Sequence, residues 1–390
     1  MSLIEDVKYS KDNPEEYNVN LDVVLSDPEE RKKTDQERAF LIANSVRISK
    51  ELFPTIDRSI NQALEKLVID NKDQNINFHI QSNLETNAYC RVVPFTNIVD
   101  IVINSSLVEL LDEKELSYVI GHELAHYLYK HSLYPHSSCA SSELDYTNLL
   151  HLQRSAEISA DRLGLIACDD IKLALQAMLK LISGLPSKYI NFNFDAYLEQ
   201  LKELKTIKNN RSQLYSTHPS ILNRMQSLIW FSKSDIYTNI NKLSEDNIYK
   251  INDVDDMISQ SIDEVIGQER IRQNKEVFKL YKLWGLLFLF LTDGKFQQEE
   301  RDIFKQEFGE EEFSDVLSYL KLSNPEKLNE KIKEHSQEAL ALTKSDKEKL
   351  MNELEIIAGK IYDENDRDIN KKLSILAMEI NLGRSVGIKK

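Results

Sequence analysis

The stretch His122-Glu123-Leu124-Ala125-His126 lies inside a run from Glu113 to His131 whose pattern predicts a helix. Residues i and i+4 share one face of a helix, one turn apart. Both imidazoles can therefore bind one zinc ion. Glu123 is rotated by about 100° from His122, so its carboxylate can reach a water molecule at the metal without binding the metal itself. The pentad thus predicts two metal ligands and a general base on one rigid element, the alternative being two surface histidines on an amphipathic helix.

A second stretch, Arg154-Ser155-Ala156-Glu157-Ile158-Ser159-Ala160-Asp161-Arg162, places two carboxylates on one face of another predicted helix. Glu157 can complete a His₂Glu zinc site that leaves the fourth position open for water. Asp161 can accept the free ring N–H of a ligand histidine, which fixes the tautomer of that ring. Glu143 is a rival third ligand, although it lies in a stretch that reads as a polar loop. The alternative is a solvated acidic helix face.

A third stretch, Ser216-Thr217-His218-Pro219-Ser220, is followed closely by Arg224. His218 precedes a proline, so an extended conformation is expected just before a helix. His218 could donate to the oxyanion of a tetrahedral intermediate or occupy the open zinc position in a resting state. A helix-start histidine without a catalytic role is an equally good interpretation. Arg224 could hold either His218 or Asp161 in place.

These stretches together resemble the HtpX, Oma and CAAX-prenyl-protease family of zinc metalloendopeptidases. The order T-N-A-Y, L-L-D-E-K-E-L-x-x-V-I-G-H-E-L-A-H, A-E-x-S-A-D-R-L-G and S-T-H-P-S-x-x-x-R carries the resemblance, over roughly residues 64–230. It implies zinc ligands at His122, His126 and Glu157 and a catalytic base at Glu123. It further implies supporting roles for Asp161, His218 and Arg224, and an active-site strand that starts at Asn87, Ala88 and Tyr89.

The strand from Asn87 also has a functional interpretation. In metallopeptidases an exposed strand edge can pair with an extended peptide substrate. The alternative is an edge strand that only completes the core. Two features depart from the family pattern: the longest apolar run, Leu283 to Leu291, is too short to span a membrane, and Pro94-Phe95-Thr96-Asn97 replaces a glycine-rich turn.

The periodicity of the chain predicts an α+β fold. We expect an irregular arm at 1–27, a mostly helical zincin-type metallopeptidase domain with a small sheet at 28–232, a linker at 233–256 and an all-helical domain at 257–390. Strands are expected at 75–81, 87–94 and 98–104, where apolar and β-branched residues cluster. Helices are expected from Pro28 to about Leu52 and at 54–68, 170–184, 194–207 and 219–232.

The C-terminal region contains an apolar helix, Leu283–Leu291, that runs into Thr292-Asp293-Gly294 and then a charged helix. This arrangement resembles a TerB-type helical domain. The resemblance implies a partner-binding or cation-binding module that would use Asp293 and Glu300. The alternative, which we favour here, is a helical bundle with a tight Asp-Gly turn.

Composition limits the class of protein. A formal net charge of −15 argues against nucleic acid and anionic membrane surfaces as partners. The three cysteines, Cys90, Cys139 and Cys168, are scattered and odd in number, as expected in a reducing compartment. Cys139 could in principle mask the metal, but a packing or surface role is the ordinary interpretation. The acidic N-terminus lacks signal-peptide features, so the sequence predicts a cytoplasmic protein.

The sequence therefore predicts a metalloendopeptidase with one Zn²⁺ per chain, in which Glu123 assists the attack of water on a peptide bond. Its expected partner is a peptide or protein substrate, without nucleic acid or a membrane-spanning segment. The alternative prediction is a latent or inactive zinc-peptidase scaffold whose C-terminal helices bind a protein partner.

Overall fold

The computed structural model describes residues 3–19, 28–70, 75–93, 96, 98–206, 219–243, 248–292, 294–322, 325–383 and 386–389. The chain divides into two compact units. The first unit comprises residues 1–14, 20–135 and 150–267, and the second comprises residues 15–19, 136–149 and 268–390. The described residues contain many helices and one four-stranded sheet, so the prediction of a mostly helical α+β protein is confirmed.

The sheet belongs to the first unit and has the strand order β1-β2-β4-β3. Its strands are β1 Val46–Arg47, β2 Ile76–Gln81, β3 Ala88–Val92 and β4 Val99–Asn104. β2 and β4 pair in parallel, whereas the two outer pairings are antiparallel. All six residues of β4 are buried, as expected for a central strand, and they include the polar residues Asp100 and Asn104. The three predicted strands are confirmed.

The first strand was missed by the sequence reasoning. The helix that begins at Pro28 ends at Asn44, before the predicted Leu52, and β1 follows it at once. A two-residue strand has no periodicity of its own. β1 forms because Val46 and Arg47 pair with Ile80 and His79 of β2.

The helices that precede residue 241 carry the predicted metal ligands and are numbered in chain order. They are α1 Leu3–Val7, α2 Pro28–Asn44, α3 Pro54–Lys66, α4 Ser105–Leu110, α5 Glu113–Leu128, α6 Glu143–Cys168, α7 Ile171–Ser183, α8 Phe194–Thr206, α9 Ile221–Ser232 and α10 Asp235–Ile240. α5 begins with a capping box, in which Asp112 accepts from the N–H of Glu115 and the Glu115 side chain accepts from the N–H of Asp112. The predicted polar loop at Glu143 is wrong, because Glu143 is the first residue of α6.

The predicted irregular arm at 1–27 is also wrong for the residues that the structure describes. Residues Leu3–Val7 form α1 and Pro14–Tyr17 form a 3₁₀ turn. Val7 and Tyr9 are buried in the same hydrophobic core as residues of α5 and α6. A segment with few apolar residues gives little periodic signal, and its burial depends on contacts with residues far along the chain.

The predicted linker at 233–256 contains regular structure. Asp235–Ile240 forms α10, and a 40-residue helix, α11 Ile251–Phe290, begins inside the predicted linker. Tyr237 and Val254 are buried in the core of the first unit. Where the structure describes this stretch, its polar residues lie mostly on helices.

Beyond α11 the described chain contains five more helices: α12 Gln298–Phe308, α13 Glu310–Leu322, α14 Pro325–Ala339, α15 Lys344–Gly359 and α16 Arg367–Glu379. The apolar end of α11 contributes Leu286, Leu287 and Phe290 to the hydrophobic core of the second unit. None of the helices that the structure describes combines the length and the apolar content needed to cross a bilayer.

Candidate metal centre

The donor atoms of His122, His126 and Glu157 converge in the first unit. The Nε2 atoms of the two histidines lie 3.1 Å apart, and each lies 3.6 or 3.7 Å from an oxygen of Glu157. Zinc binds N and O ligands at 2.0–2.2 Å, so the ligand atoms of a tetrahedral site are about 3.4 Å from one another. The observed separations fit that arrangement. Among the described residues, this is the cluster of three or more His, Cys, Asp or Glu side chains that could hold a metal ion, and Glu143 and Cys139 are not part of it.

Helix geometry and helix packing bring the three side chains together. His122 and His126 lie one turn apart on α5, as predicted. Glu157 lies on α6, which packs closely against α5. At that contact a Cβ on Gly121 would overlap the Cβ of Ala167, and a Cβ on Gly164 would lie 2.8 Å from the Tyr118 carbonyl oxygen. The absence of side chains on Gly121 and Gly164 therefore allows the two ligand-bearing helices to approach one another.

Asp161 organises the side of the site next to His122. Its carboxylate lies 3.0 Å from His122 Nδ1 and accepts a hydrogen bond from the Tyr118 hydroxyl at 2.7 Å. Arg224, on α9, donates to both Asp161 oxygens at 2.6 and 2.8 Å and lies 3.0 Å from a Glu157 oxygen. The predicted contact of Arg224 with Asp161 is therefore present in the structure. The sequence analysis did not include Tyr118 in the site, although a residue one helical turn before His122 is expected on the same face of the helix.

The charges around the site favour a cation. Burial opposes protonation of His122, but the hydrogen bond to Asp161 and the charge of Glu157 outweigh it and raise the pKa of His122. Burial also acts on Asp161, yet Arg224 dominates and lowers the pKa of Asp161 to about 2. Because Glu157 and Asp161 favour positive charge at His122 Nε2, the site provides the electrostatic environment that a metal ion requires.

Glu123 lies beside the donor cluster without joining it. Its side chain is buried, and burial together with the charge of Glu157 raises the pKa of Glu123 to about 7. The backbone N–H of Cys90, on β3, donates a hydrogen bond to the Glu123 carboxylate. A carboxylate with a pKa near neutrality can both accept and release a proton under ordinary conditions.

His126 has a different environment from His122. Burial and the charge of His122 lower the pKa of His126 to about 3, so this imidazole is neutral. Its Nδ1 lies 2.9 Å from Nδ1 of His131, and His131 Nε2 lies 2.8 Å from an Asp12 oxygen. Neither residue was predicted. His131 lies five residues after His126, but Asp12 lies more than a hundred residues earlier and gave no signal.

The strand predicted to bind substrate lies at the edge of the sheet. Ala88 and Tyr89 are in β3, and Asn87 directly precedes it. The Asn87 carbonyl accepts from the N–H of Asn104, and the N–H of Val93 donates to the Ile98 carbonyl. Because the hydrogen-bonding direction alternates along a strand, the odd-numbered residues of β3 face β4, and the backbone groups of residues 88, 90 and 92 face away from it. On that side the N–H of Ala88 donates to Asn87 Oδ1, and the N–H of Cys90 donates to Glu123.

Three predicted residues remain to be placed. His218 and Asp293 lie outside the described residues. Glu300 is buried on α12, where one carboxylate oxygen accepts from the N–H of Gln297 and the other from the Tyr362 hydroxyl. Both Glu300 oxygens therefore make hydrogen bonds within the second unit.

Comparison with known proteins places the site in context. Residues 51–141 and 136–229 match the model of peptidase family M48. A plastoglobule-localized metallopeptidase 48 of the chloroplast, from Arabidopsis thaliana, is 30% identical over 179 residues. That alignment covers 41% of this chain and 49% of the plant protein, so the chain spans about half the length of this relative. No solved structure matches the chain. The region that holds the donor cluster is thus similar to the metallopeptidases of family M48, and the similarity supports a peptidase that depends on a metal.

Proposed function

We propose that residues 51–229 form the catalytic unit of a zinc metalloendopeptidase with one zinc ion per chain. The observation that carries the proposal is the convergence of His122, His126 and Glu157 at separations suited to tetrahedral zinc, with Glu123 beside them. A structural zinc site would have no use for a buried carboxylate with a pKa near 7 next to the ligands. The resemblance of the motif order to the HtpX, Oma and CAAX-prenyl-protease type supports this proposal.

Each side chain has a definite task in peptide hydrolysis. A zinc ion held by the three ligands would polarise the peptide carbonyl and lower the pKa of a water molecule. Glu123 accepts the proton of that water and passes it to the leaving nitrogen. Asp161 and Arg224 keep His122 and Glu157 in position. His218 remains a candidate donor to the oxyanion or a resting-state ligand.

The edge of β3 supplies a place for the substrate. An extended peptide can add to this edge and pair with the backbone groups of residues 88, 90 and 92, replacing the present partners of the Ala88 and Cys90 N–H groups. The Cys90 N–H that bonds Glu123 lies on this edge, so a peptide paired there lies next to the base. Such an edge needs no free chain terminus, which favours an endopeptidase that accepts unfolded protein segments. The three free cysteines favour a reducing compartment such as the cytoplasm.

The alternative, an idle scaffold with a partner-binding C-terminal region, has less support. The donor atoms of His122, His126 and Glu157 lie close to one another, and both oxygens of Glu300 already make intramolecular hydrogen bonds. Binding of a protein partner by the second unit therefore rests on the TerB resemblance alone.

The test compares the unchanged protein with Glu123→Gln on unfolded casein, with and without a chelator. We expect chelator-sensitive cleavage by the unchanged protein. Glu123→Gln should keep its zinc, measured by elemental analysis, and lose at least about a hundredfold in turnover, because an amide cannot accept the proton. Glu109→Gln, an exposed residue on α4, is the control and should retain full turnover. Equal turnover of Glu123→Gln and the control would refute the assignment of the base.

A further inference from the structure

A buried chain of three polar side chains leads from the proposed metal centre into the N-terminal segment. His126 Nδ1 lies 2.9 Å from His131 Nδ1, and His131 Nε2 lies 2.8 Å from Asp12 Oδ2. The Tyr134 hydroxyl donates to the other Asp12 oxygen at 2.7 Å. Asp12 is 1% exposed, and His131 is 8% exposed. Asp12 and His131 are therefore shielded from water, and their hydrogen bonds constrain the proton positions in the two rings.

The protonated nitrogen of each histidine ring can be deduced by starting from Asp12. A carboxylate can only accept hydrogen bonds, so the proton shared with Asp12 is on His131 Nε2. One of the two facing Nδ1 atoms must donate and the other accept, and a metal ligand at His126 Nε2 requires that His126 Nδ1 donates to His131 Nδ1. This leaves the lone pair of His126 on Nε2, the atom that faces His122 and Glu157. The opposite arrangement would put a hydrogen on Nε2, where a metal ligand needs a lone pair.

The N-terminal segment is held against both ligand-bearing helices. The hydroxyl of Tyr129, directly after α5, donates to the carbonyl of Ile4. On α6, Ser159 accepts from the N–H of Tyr9, and Arg162 donates to the carbonyl of Val7. These contacts place residues 4–12 beside α5 and α6, so the position of Asp12 is set by the same helices that carry the ligands.

We propose that Asp12 and His131 are positioning residues for the metal centre: they form a relay that fixes the ring of His126 in the tautomer that presents Nε2 to the metal. The relay performs for His126 the task that Asp161 performs directly for His122. His131 lies within the stretch that matches the peptidase family, whereas Asp12 precedes it by 39 residues, counted from residue 51. The N-terminal segment is thereby part of the metal site. This inference rests on the proposed metal-dependent function.

The competing explanation is that Asp12 only anchors the N-terminal segment. Both explanations predict a loss of stability when Asp12 changes, so stability alone does not separate them. Zinc affinity and the tautomer of His126 do separate them. If Asp12 only anchors the N-terminal segment, both properties stay unaltered in a variant that folds.

The first experiment measures zinc affinity by competition with a chromophoric chelator. Asp12→Asn and His131→Phe should each bind zinc about 10–100-fold more weakly, the usual effect of removing a partner of a metal-bound histidine. His131→Gln should bind close to normally, because its amide oxygen can accept from His126 while its amide nitrogen donates to Asp12. The controls are Asp6→Asn and His136→Phe, which alter exposed residues of the same type. Circular dichroism checks that each variant is folded.

The second experiment needs no variant to fold. In protein labelled with ¹⁵N-histidine and loaded with zinc, two-bond ¹H–¹⁵N correlation spectra show which ring nitrogen carries hydrogen. We expect His126 protonated on Nδ1 and His131 protonated on Nε2, two opposite tautomers in adjacent rings. The same tautomer on both rings, or unaltered zinc affinity in folded Asp12→Asn and His131→Phe, would overturn the relay. Failure of the unchanged protein to bind zinc would instead contradict the proposed function, and the tautomer measurement on that protein would still test the relay.

Discussion

The two histidines of the pentad show how partners differentiate identical side chains. His122 and His126 lie one turn apart on α5, yet the pKa of His122 is raised and that of His126 is lowered to about 3. His122 contacts the carboxylate of Asp161 directly, whereas His126 contacts the imidazole of His131. A carboxylate beside Nδ1 favours the charged form of His122. His126 is buried without a carboxylate at its Nδ1, which favours the neutral form.

The proposed ligands can be tested one at a time. His122→Ala and Glu157→Ala each remove one of three donors, so both variants should lose most of their zinc after dialysis against a weak chelator. Elemental analysis of purified protein measures the zinc content. Glu123→Gln serves as the comparison, because it alters an adjacent residue that does not bind the metal. Full zinc occupancy in both alanine variants would show that the ligand set is wrong.

The contact between α5 and α6 sets the distance between the histidines and Glu157. Both helices present a glycine at their closest approach, Gly121 and Gly164, and a Cβ on either would meet backbone atoms at 3.0 Å or less. Backbone atoms cannot rotate away as a flexible side chain can. Glycine is therefore required here for steric reasons. The clash arises only where the two helices pack together, because the atoms that a Cβ would meet lie on the other helix.

A single methyl group at this contact should separate the helices. Gly121→Ala would place its Cβ against Ala167 and within 3.0 Å of the Leu163 carbonyl oxygen. We expect a loss of about 1–3 kcal/mol in the free energy of unfolding and weaker zinc binding, measured by urea unfolding and chelator competition.

The matched control is Gly285→Ala in α11, where the nearest atom to the new Cβ is a Leu354 methyl at 3.4 Å. That distance is an ordinary van der Waals contact, and alanine favours a helix interior by about 1 kcal/mol over glycine. Gly285→Ala should therefore be neutral or stabilising. Similar effects of the two substitutions would show that the α5–α6 contact is looser than the structure indicates.

Long-range ion pairing connects parts of the chain that local patterns treat as separate. Arg162 is 1% exposed and forms a buried ion pair with Asp255, whose second oxygen accepts from the N–H of Ser10 at 3.0 Å. The Arg162 guanidinium also lies 5.2 Å from the ring centre of Tyr9 and 4.9 Å from that of Phe231. Residues from α6, α11 and the N-terminal segment thus share one polar cluster inside the first unit.

Removing the acid of this cluster should leave a buried, unpaired charge. Asp255→Ala is expected to cost about 3–5 kcal/mol, because Arg162 stays charged and loses its partner. Asp256→Ala, an exposed neighbour, should alter stability by no more than about 0.5 kcal/mol. Urea unfolding of both variants measures the difference. An Asp255→Ala protein as stable as the Asp256→Ala protein would contradict the burial of this ion pair.

The local patterns of the chain were enough to find the proposed ligands, the base and three strands. His122 and His126 share a face because a helix repeats every 3.6 residues, and β4 is recognisable because its four apolar residues are all β-branched. Such features depend on neighbours in the chain, so they can be recognised without knowledge of the packing. The same holds for Asp161, which lies one turn beyond Glu157.

The long-range residue pairs could be identified only from the tertiary structure. Asp12 joins His131, Asp255 joins Arg162, and Val46 joins Ile80, each across more than thirty residues. A buried acid or a two-residue strand has no period, so nothing in the local sequence distinguishes it from an exposed acid or a loop. These pairings exist because a buried polar group must find a partner wherever the folded chain supplies one.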